Sequence, residues 1–332
     1  MANKVRSIEK VIEGIEQDEG AGARVRRLIG NMERRNFNPF LMFDHFKAKG
    51  AAGFPEHPHY GMETITYCVN GGIAHEDFTG KKGIIYPGDL QFMTAGKGIV
   101  HSEMPIDGPN GEPAELLQMW VDLPAKLKES PPRYRDLREW EIPRYESDDG
   151  KLLVKVVSGK SYGVESLHNL AYTPVHYYHF ILKKGAKFSQ EVIPEWNYFL
   201  YVIKGKGLDI NGTKVHQYEN VFFNRDGNYI EGEQTGDDTV EFIIVGGEML
   251  DQTVVQHGPF VACSRDKIMD VFQNYQYAQN GFENRKSWKT LISNGVTQDM
   301  VDNQLGGNLQ EREKTRKEFL ANQANKNVND EL

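Results

Sequence analysis

Two short histidine-containing motifs in the first half of the chain have the spacing of a metal site. The first is His57-Pro-His59, and the second is His101-Ser-Glu103. In a β-strand, residues two positions apart point to the same face, so each motif presents two ligand groups together. If the motifs face each other, three imidazoles and one carboxylate surround a single ion. The sequence therefore predicts one metal site formed by these four residues.

A second carboxylate competes for the fourth position in this site. Glu63 follows His59 by four residues and lies on the same strand face as His57 and His59 if the strand continues. It is an alternative ligand to Glu103, or a partner that orients an imidazole through a hydrogen bond. The spacing alone does not decide between these roles.

The chemistry of the ligands narrows the choice of metal. Imidazole and carboxylate groups suit iron, manganese, nickel, copper or zinc, and the set is close to the facial His and carboxylate sites of non-haem iron oxygenases. Neither motif contains a cysteine, which argues against a structural zinc site. We therefore expect one redox-active iron, Fe(II)/Fe(III), per chain, with Mn, Ni, Cu or Zn as alternatives.

The elements that must position these residues are short strands. Apolar runs of four to eight residues recur from residue 38 onward, and Gly, Pro, Asn and Asp separate them. This pattern is typical of an all-β sandwich or barrel. The run at 64–69 (TITYCV) resembles the run at 198–203 (YFLYVI), and glycine-rich turns follow both. The sequence thus predicts an internal duplication, closed by a short helix with Ser264 as its N-cap.

The second copy lacks the metal-binding motif. In the alignment of the two halves, Glu195, Trp196 and Asn197 stand where the first half has His-x-His. Glu231 and Glu233 stand near the equivalent of His-x-Glu. The sequence therefore predicts a metal in the first half only.

Composition divides the chain into three parts. A segment at 124–150 is rich in proline and charge and marks the boundary between two domains. We assign residues 1–138 to a metal-binding N-terminal domain and residues 139–293 to a C-terminal domain without metal. Residues 294–332 form a polar tail, either disordered or helical at 309–323, where the apolar face is thin.

The charge of the chain restricts its partners. The net charge is −8 and the isoelectric point is about 5.7, which argues against direct nucleic-acid binding. Basic residues nevertheless cluster near the N-terminus, where they form either an ordinary solvated surface or a local protein-docking patch. The patch consists of Arg24, Arg26, Arg27, Arg34 and Arg35. We otherwise expect a monomer.

Two features predict the compartment. The first 20 residues are charged and lack the apolar core of a secretory signal, and no apolar run has the length of a membrane span. Cys68 and Cys263, which lie in different halves, are predicted to be free thiols. We expect a cytoplasmic protein without membrane contact, or a nuclear one if the source is eukaryotic.

Several long motifs resemble one protein family. The segments HPHYGMETITY and GGIAHEDFTGKKGIIYPGDLQFMTAGKGIVHSEMP are similar to those of the pirin family of the bicupin superfamily, and NPFLMFDHF and NGFENRKSWKTLIS extend the similarity over roughly residues 5–293. The resemblance implies two tandem cupin β-barrels with metal in the first. It implies His57, His59, His101 and Glu103 as ligands, and so prefers Glu103 to Glu63.

The resemblance also implies two functions. One is a quercetin 2,3-dioxygenase-like activity, in which a flavonol and dioxygen meet at the metal and Glu103 accepts a proton. Its pocket would be apolar, and the candidate lining residues are Phe43, Phe54, Met93, Met119 and Trp120. The alternative is a redox-sensitive, iron-binding regulator of transcription-factor complexes without turnover, which would use the arginine patch.

Overall fold

The computed structural model describes residues 3–168 and 170–330, and its regular elements are mostly β-strands. In the first half they are β1 (Ile8–Glu13), β2 (Ile15–Glu19), β3 (Ala23–Ile29), β4 (Phe40–Ala48), β5 (Phe54–His59), β6 (Met62–Asn70), β7 (Gly72–Asp77), β8 (Lys82–Ile85), β9 (Leu90–Thr94), β10 (Ile99–Ile106), β11 (Ala114–Asp122) and β12 (Arg133–Leu137).

The second half has a similar series of strands followed by two α-helices. The strands are β13 (Arg144–Glu146), β14 (Leu152–Ser158), β15 (Lys160–Ser161), β16 (Val164–Glu165), β17 (Val175–Leu182), β18 (Lys187–Glu191), β19 (Asn197–Lys204), β20 (Leu208–Ile210), β21 (Thr213–Val215), β22 (Glu219–Phe223), β23 (Tyr229–Gln234), β24 (Val240–Gly247), β25 (Val255–His257) and β26 (Phe260–Ala262). The helices are α1 (Arg265–Tyr277) and α2 (Leu309–Asp330). Short 3₁₀ turns occur at Ala125–Leu127, Glu139–Glu141 and Glu283–Lys286, and a π-helical turn at Met300–Gln304.

The two halves have the same sheet topology. The first barrel combines a seven-stranded sheet, β12-β9-β6-β11-β4-β3-β2, with a four-stranded sheet, β5-β10-β7-β8. The second combines β1-β22-β19-β24-β17-β14-β13 with β18-β23-β20-β21. The predicted duplication and the all-β fold of two tandem barrels are therefore confirmed.

The N-terminal strand departs from the domain boundaries that were predicted from composition. β1 pairs antiparallel with β22, so residues 8–13 belong to the second barrel. β1 holds the sheet position there that β12 holds in the first barrel. Composition cannot reveal this pairing, because the two strands lie more than 200 residues apart in sequence.

The C-terminal segment returns to the first barrel. The Val261 amide donates to the Tyr60 carbonyl oxygen at 3.0 Å, which places β26 beside the end of β5. Phe260 and Phe282 are buried with Met62 in one apolar cluster of the first barrel. Helix α1 packs against this region and begins at the predicted cap, where Ser264 accepts a hydrogen bond from the Lys267 amide.

The tail also packs against the first barrel. Arg312 of α2 donates to both carboxylate oxygens of the fully buried Asp89, at 2.8 and 2.7 Å. Val301 and Leu305 are buried in an apolar cluster with Ile84. Of the two predicted alternatives, the structure has the helix. The apolar face of the helix is thin, and ion pairs and the turn before the helix make the contacts with the barrel.

A shared core joins the two barrels, and two matched polar contacts cross it. The Tyr201 hydroxyl bonds His45 Nδ1 at 2.6 Å, and the Tyr67 hydroxyl bonds His179 Nδ1 at 2.7 Å. β4 and β17 carry the histidines, and β6 and β19 carry the tyrosines, so the pairs follow the duplication. His45 Nε2 lies 2.7 Å from the Glu115 carboxylate, and His179 Nε2 lies 3.5 Å from the Glu241 carboxylate.

Two other predictions concern thiols and membranes. Cys68 and Cys263 are free, and Cys68 is buried. Among the helices in residues 3–168 and 170–330, none is both long and apolar enough to cross a bilayer.

Candidate metal centre

The two histidine motifs lie on neighbouring strands. β5 and β10 pair antiparallel, and the pairing sets His57 directly opposite His101. The imidazole of His59 lies beside both, with ring centroids 5.0 Å from His57 and 4.9 Å from His101. One nitrogen from each ring can be chosen so that all three lie within 4.8 Å of one another. The strand alternation seen in the sequence thus brings the three imidazoles together.

The nitrogens of this cluster leave each of the three imidazoles able to bind a metal. His57 Nδ1 lies 2.7 Å from the Pro55 carbonyl oxygen, which leaves Nε2 free to bind a metal. Both nitrogens of His59 and of His101 are buried and have no hydrogen-bond partner among the described residues. Buried polar atoms are normally satisfied. An ion in the cluster would bind one nitrogen of each ring, so the three imidazoles fit a transition metal.

Burial also sets the charge state of the imidazoles. It lowers the pKa of His57 from its ordinary value and lowers the pKa of His59 and His101 further, with neighbouring imidazoles adding to the effect. The neutral imidazole is the form that binds a metal. The site is therefore poised to bind a cation without first losing protons from these three rings.

Glu103 lies next to the histidine cluster. One carboxylate oxygen is 3.9 Å from His101 Nε2, and the side chain is buried. Burial raises the pKa of Glu103 to about 7, although the Gln118 amide opposes this by donating to the two carboxylate oxygens at 3.4 and 3.2 Å. The carboxyl group can therefore hold or release a proton near neutral pH.

The structure places Glu63 away from the metal cluster. Its carboxylate accepts hydrogen bonds from the Thr94 hydroxyl at 2.6 Å and from the backbone amides of Tyr172 and Thr173 at 3.0 Å. Gly61, at φ +71°, separates β5 from β6, so the face alternation does not continue from His59. Glu63 instead ties the first barrel to a loop of the second half.

A cavity of about 950 Å³ reaches this centre. His57 and Glu103 line it, together with two of the predicted pocket residues, Phe54 and Trp120. The Trp120 ring stands edge-on to His59, with centroids 5.2 Å apart. A volume of this size suits a multi-ring organic ligand.

Three predicted pocket residues lie elsewhere. Phe43 and Met119 are directly opposed on β4 and β11 and face the core between the barrels, where Phe43 contacts Phe199 and Tyr201. Met93 is buried in the apolar cluster of the first barrel. The physical reason is alternation, because neighbouring positions on a strand face opposite sides of a sheet that is buried on both sides.

The cavity also contains residues that the sequence reasoning missed. Gln118 lies two residues before Trp120 on β11, so the two side chains face the same side. This spacing is visible in the sequence. Gln256 and Pro259, from the segment after the second barrel, close another part of the wall. Only the folded chain brings this segment to the first barrel.

The arginine patch is largely paired with acidic groups. Arg24 bonds Asp18 at 2.7 Å, Arg34 bonds Glu9 at 2.7 Å, and Arg27 bonds Asp44 at 2.8 Å. Arg26 lies 3.7 Å from Glu16, and Arg35 lines the cavity. The patch therefore presents much less free positive charge than its sequence suggests.

The second barrel has different groups at the corresponding strands. β18 and β23 take the places of β5 and β10, and their buried side chains include Phe188, Gln190 and Ile230. Glu231 contacts Ser189 and Glu233 contacts Lys187 on the partly exposed side. The alignment through residues 195–197 was misplaced, since β18 ends at residue 191.

The architecture and the buried histidine cluster define the protein as a bicupin with a candidate metal centre in its first barrel. Sequence profiles agree with this class. Residues 22–121 match the profile described as Pirin, and residues 177–281 match that of the Pirin C-terminal cupin domain. The chain belongs to the pirin family.

Similar proteins are found in animals, plants and bacteria. The chain is 43% identical to human Pirin over 84% of its own length and 95% of the relative. It is 40% identical to a pirin-like protein of Solanum lycopersicum over 86% and 97%.

Solved structures share the fold. A quercetin 2,3-dioxygenase from Acinetobacter baumannii superposes with a TM-score of 0.75 at 23% identity, covering 83% of this chain and 98% of that one. A bacterial pirin from Escherichia coli in complex with nickel(II) superposes with a TM-score of 0.57 at 21% identity, covering 73% and 99%. At these identities the likeness concerns the fold.

Proposed function

We propose that this pirin is an iron-dependent dioxygenase that acts on a flavonol such as quercetin. The observation that carries the proposal is the buried cluster of His57, His59 and His101, with unpartnered nitrogens, beside a cavity of about 950 Å³. The fold shared with a quercetin 2,3-dioxygenase supports the same reading. A ligand set of imidazole and carboxylate is suited to oxygen chemistry.

In this proposal His57, His59, His101 and Glu103 hold one iron. A bound iron supplies a Lewis acid for the flavonol oxygens and a redox partner for dioxygen. Both oxygen atoms of dioxygen enter the products, so the reaction needs no external reductant. Nickel, manganese, copper and zinc remain alternative occupants on ligand chemistry, and nickel is the metal in the E. coli relative.

Glu103 has a second role in the proposal as the proton acceptor. A carboxyl group whose pKa is raised to about 7 is matched to removing a proton from a flavonol hydroxyl near neutral pH. Gln118 fixes the orientation of this carboxylate through its amide. Phe54 and Trp120 provide apolar surfaces that hold aromatic rings and exclude water.

Elemental analysis combined with turnover tests the proposal. His57→Ala and His101→Ala should each lose most of the metal, whereas wild type should hold one ion per chain. The barrels have their own cores, so both variants should remain folded. His168→Ala is the matched control, because this histidine is 75% exposed and lies outside the cluster.

Aerobic quercetin consumption, normalised to bound iron, separates enzyme from regulator. Consumption well above that of free iron supports the dioxygenase. Iron-loaded wild type without such consumption would favour the regulatory alternative. Reversal of charges in the arginine patch would then be tested for loss of a protein partner.

A further inference from the structure

The second barrel contains its own cavity, which the proposed metal chemistry does not use. Its volume is about 770 Å³, and it lies between the hairpin of β15 and β16 and a wall that includes His176 and Trp196. The single cluster of three metal-ligating side chains found among the described residues is in the first barrel. The second cavity therefore differs chemically from the first.

Gln190 contributes an unsatisfied acceptor to this cavity. Its Nε2 donates to the carbonyl oxygens of Lys160 at 3.0 Å and Glu191 at 2.8 Å. These two acceptors fix the orientation of the amide, because a flipped amide would set oxygen against oxygen. Oε1 is then buried and has no partner among the described residues, while the residue is only 1% exposed.

Ser161 contributes a second unsatisfied group from the hairpin. Its hydroxyl is buried, and within the part of the chain that the structure describes it has no partner. Gly159 allows the hairpin to approach the wall, since a Cβ there would collide with the Tyr178 hydroxyl and the His176 ring. A buried amide oxygen and hydroxyl without partners each carry a desolvation cost, which a bound ligand removes.

One part of the cavity wall is aromatic and neutral. The rings of Trp196 and His176 lie with centroids 4.7 Å apart. The Tyr198 hydroxyl accepts from the Ile193 amide at 3.3 Å and forms a second hydrogen bond with His176 Nδ1 at 2.7 Å. Burial lowers the pKa of His176 to about 4, which keeps the ring uncharged.

We propose that the second barrel binds an uncharged, hydroxylated ring compound. Its ring packs against Trp196, and its hydroxyl groups donate to Gln190 Oε1 and bond the Ser161 hydroxyl. The unsatisfied protein groups are a neutral amide and a neutral hydroxyl, so a charge placed against these two groups would lack a counter-ion there. Lys160, Glu165 and Glu191 also line the cavity, but all three are exposed. Aromatic phenols and alicyclic polyols share this chemistry.

Equilibrium titration of the full-length protein with catechol and with myo-inositol tests the proposal. Saturable binding of one ligand per chain should persist in His101→Ala, which separates this site from the metal centre and from the proposed dioxygenase activity. Ser161→Ala should weaken binding about 3- to 10-fold, the loss of one hydrogen bond. Trp196→Ala should weaken it about 10-fold and abolish any quenching of that tryptophan's fluorescence.

Ser130→Ala is the matched control, because Ser130 also has a buried, unpartnered hydroxyl among the described residues but lies outside the cavity. It should bind like wild type. Binding of catechol alone identifies an aromatic ligand class, and binding of myo-inositol alone identifies a polyol class. The absence of saturable binding of both probes up to about 1 mM, or unchanged affinity in folded Ser161→Ala and Trp196→Ala, would overturn the proposal.

Discussion

Replacing Glu103 with glutamine should change the stability of the metal-free protein in a pH-dependent way. Burial raises the pKa of Glu103 from its ordinary value of 4.5 to about 7. A carboxyl group with a raised pKa contributes stability that is present below the unfolded pKa and is lost as pH rises through the folded one. Glutamine does not ionise, so Glu103→Gln should lack this loss.

The size of the effect follows from the two pKa values. By linkage, ionisation of the carboxyl group lowers the free energy of unfolding of wild type by about 0.8 kcal/mol at about pH 5 and by about 3.3 kcal/mol at about pH 8. The free energy of unfolding of Glu103→Gln, relative to wild type, should therefore increase by about 2.5 kcal/mol across that interval. The histidines of the cluster also titrate, but they are common to both proteins and largely cancel in the difference.

With metal bound, wild type should become the more stable of the two proteins. A cation next to Glu103 stabilises the carboxylate, so wild type should gain more stability from metal than Glu103→Gln does. Urea unfolding at several pH values, with chelator and then with excess metal, measures both effects. Glu146→Gln is the control, because it makes the same charge change at an exposed position.

Two results would refute this reasoning. Parallel stability curves for metal-free wild type and Glu103→Gln between about pH 5 and about pH 8 would mean that Glu103 does not have a raised pKa. Equal stabilisation of both proteins by metal would mean that the carboxylate is not a ligand. If metal stabilises both equally but quercetin consumption falls about 100-fold or more in Glu103→Gln, the residue acts as a base alone.

Three further substitutions test other parts of the structure. Glu63→Gln should retain full metal content by elemental analysis. Its free energy of unfolding should fall by roughly 1–3 kcal/mol, because buried donors lose a carboxylate acceptor. Loss of metal would mean that Glu63 is part of the metal site. Arg312→Met should lower the free energy of unfolding, measured by denaturant titration, by roughly 2–4 kcal/mol, because the Asp89 carboxylate stays buried but loses one guanidinium partner. An unchanged free energy of unfolding would mean that α2 is detached in solution. Burial would raise the pKa of Glu241, but His179 and a lysine outweigh it and lower the pKa to about 2. The stabilisation that the Glu241 carboxylate provides is present above pH 4.5 and should be lost as the pH falls toward 2. Over this interval the free energy of unfolding of wild type should therefore fall by roughly 1–2 kcal/mol more than that of Glu241→Gln.

The histidine cluster was predictable because its geometry is local. Alternation within β5 brings His57 and His59 to one face, and an antiparallel neighbour needs only the correct register to add His101. The same rule failed for Glu63, because it holds only while the strand continues. Gly61 ends that continuity, and the acid then points to a loop of the second half.

The substrate pocket was less predictable because both faces of the large sheet are buried. The pairing of β4 with β11 sets Phe43 directly opposite Met119, so both side chains lie on one face of the sheet. It does not say which group faces the cavity and which faces the other barrel, since both faces of β11 carry apolar residues. Only the packing of the two barrels against each other decides this, and it assigns Gln118 and Trp120 to the cavity.

The chain termini explain why neither barrel is a self-contained unit. β1 completes a sheet of the second barrel, and the segment after the second barrel supplies Gln256 and Pro259 to the cavity of the first. The candidate metal centre thus lies on strands of one barrel but opens to a cavity that the segment after the second barrel helps to enclose. A substitution at Gln256 or Pro259 should therefore alter access of the proposed substrate to the cavity while leaving the three imidazoles in place. Such a variant would separate access to the cavity from metal binding, because we expect constant metal content with a change in the proposed quercetin consumption.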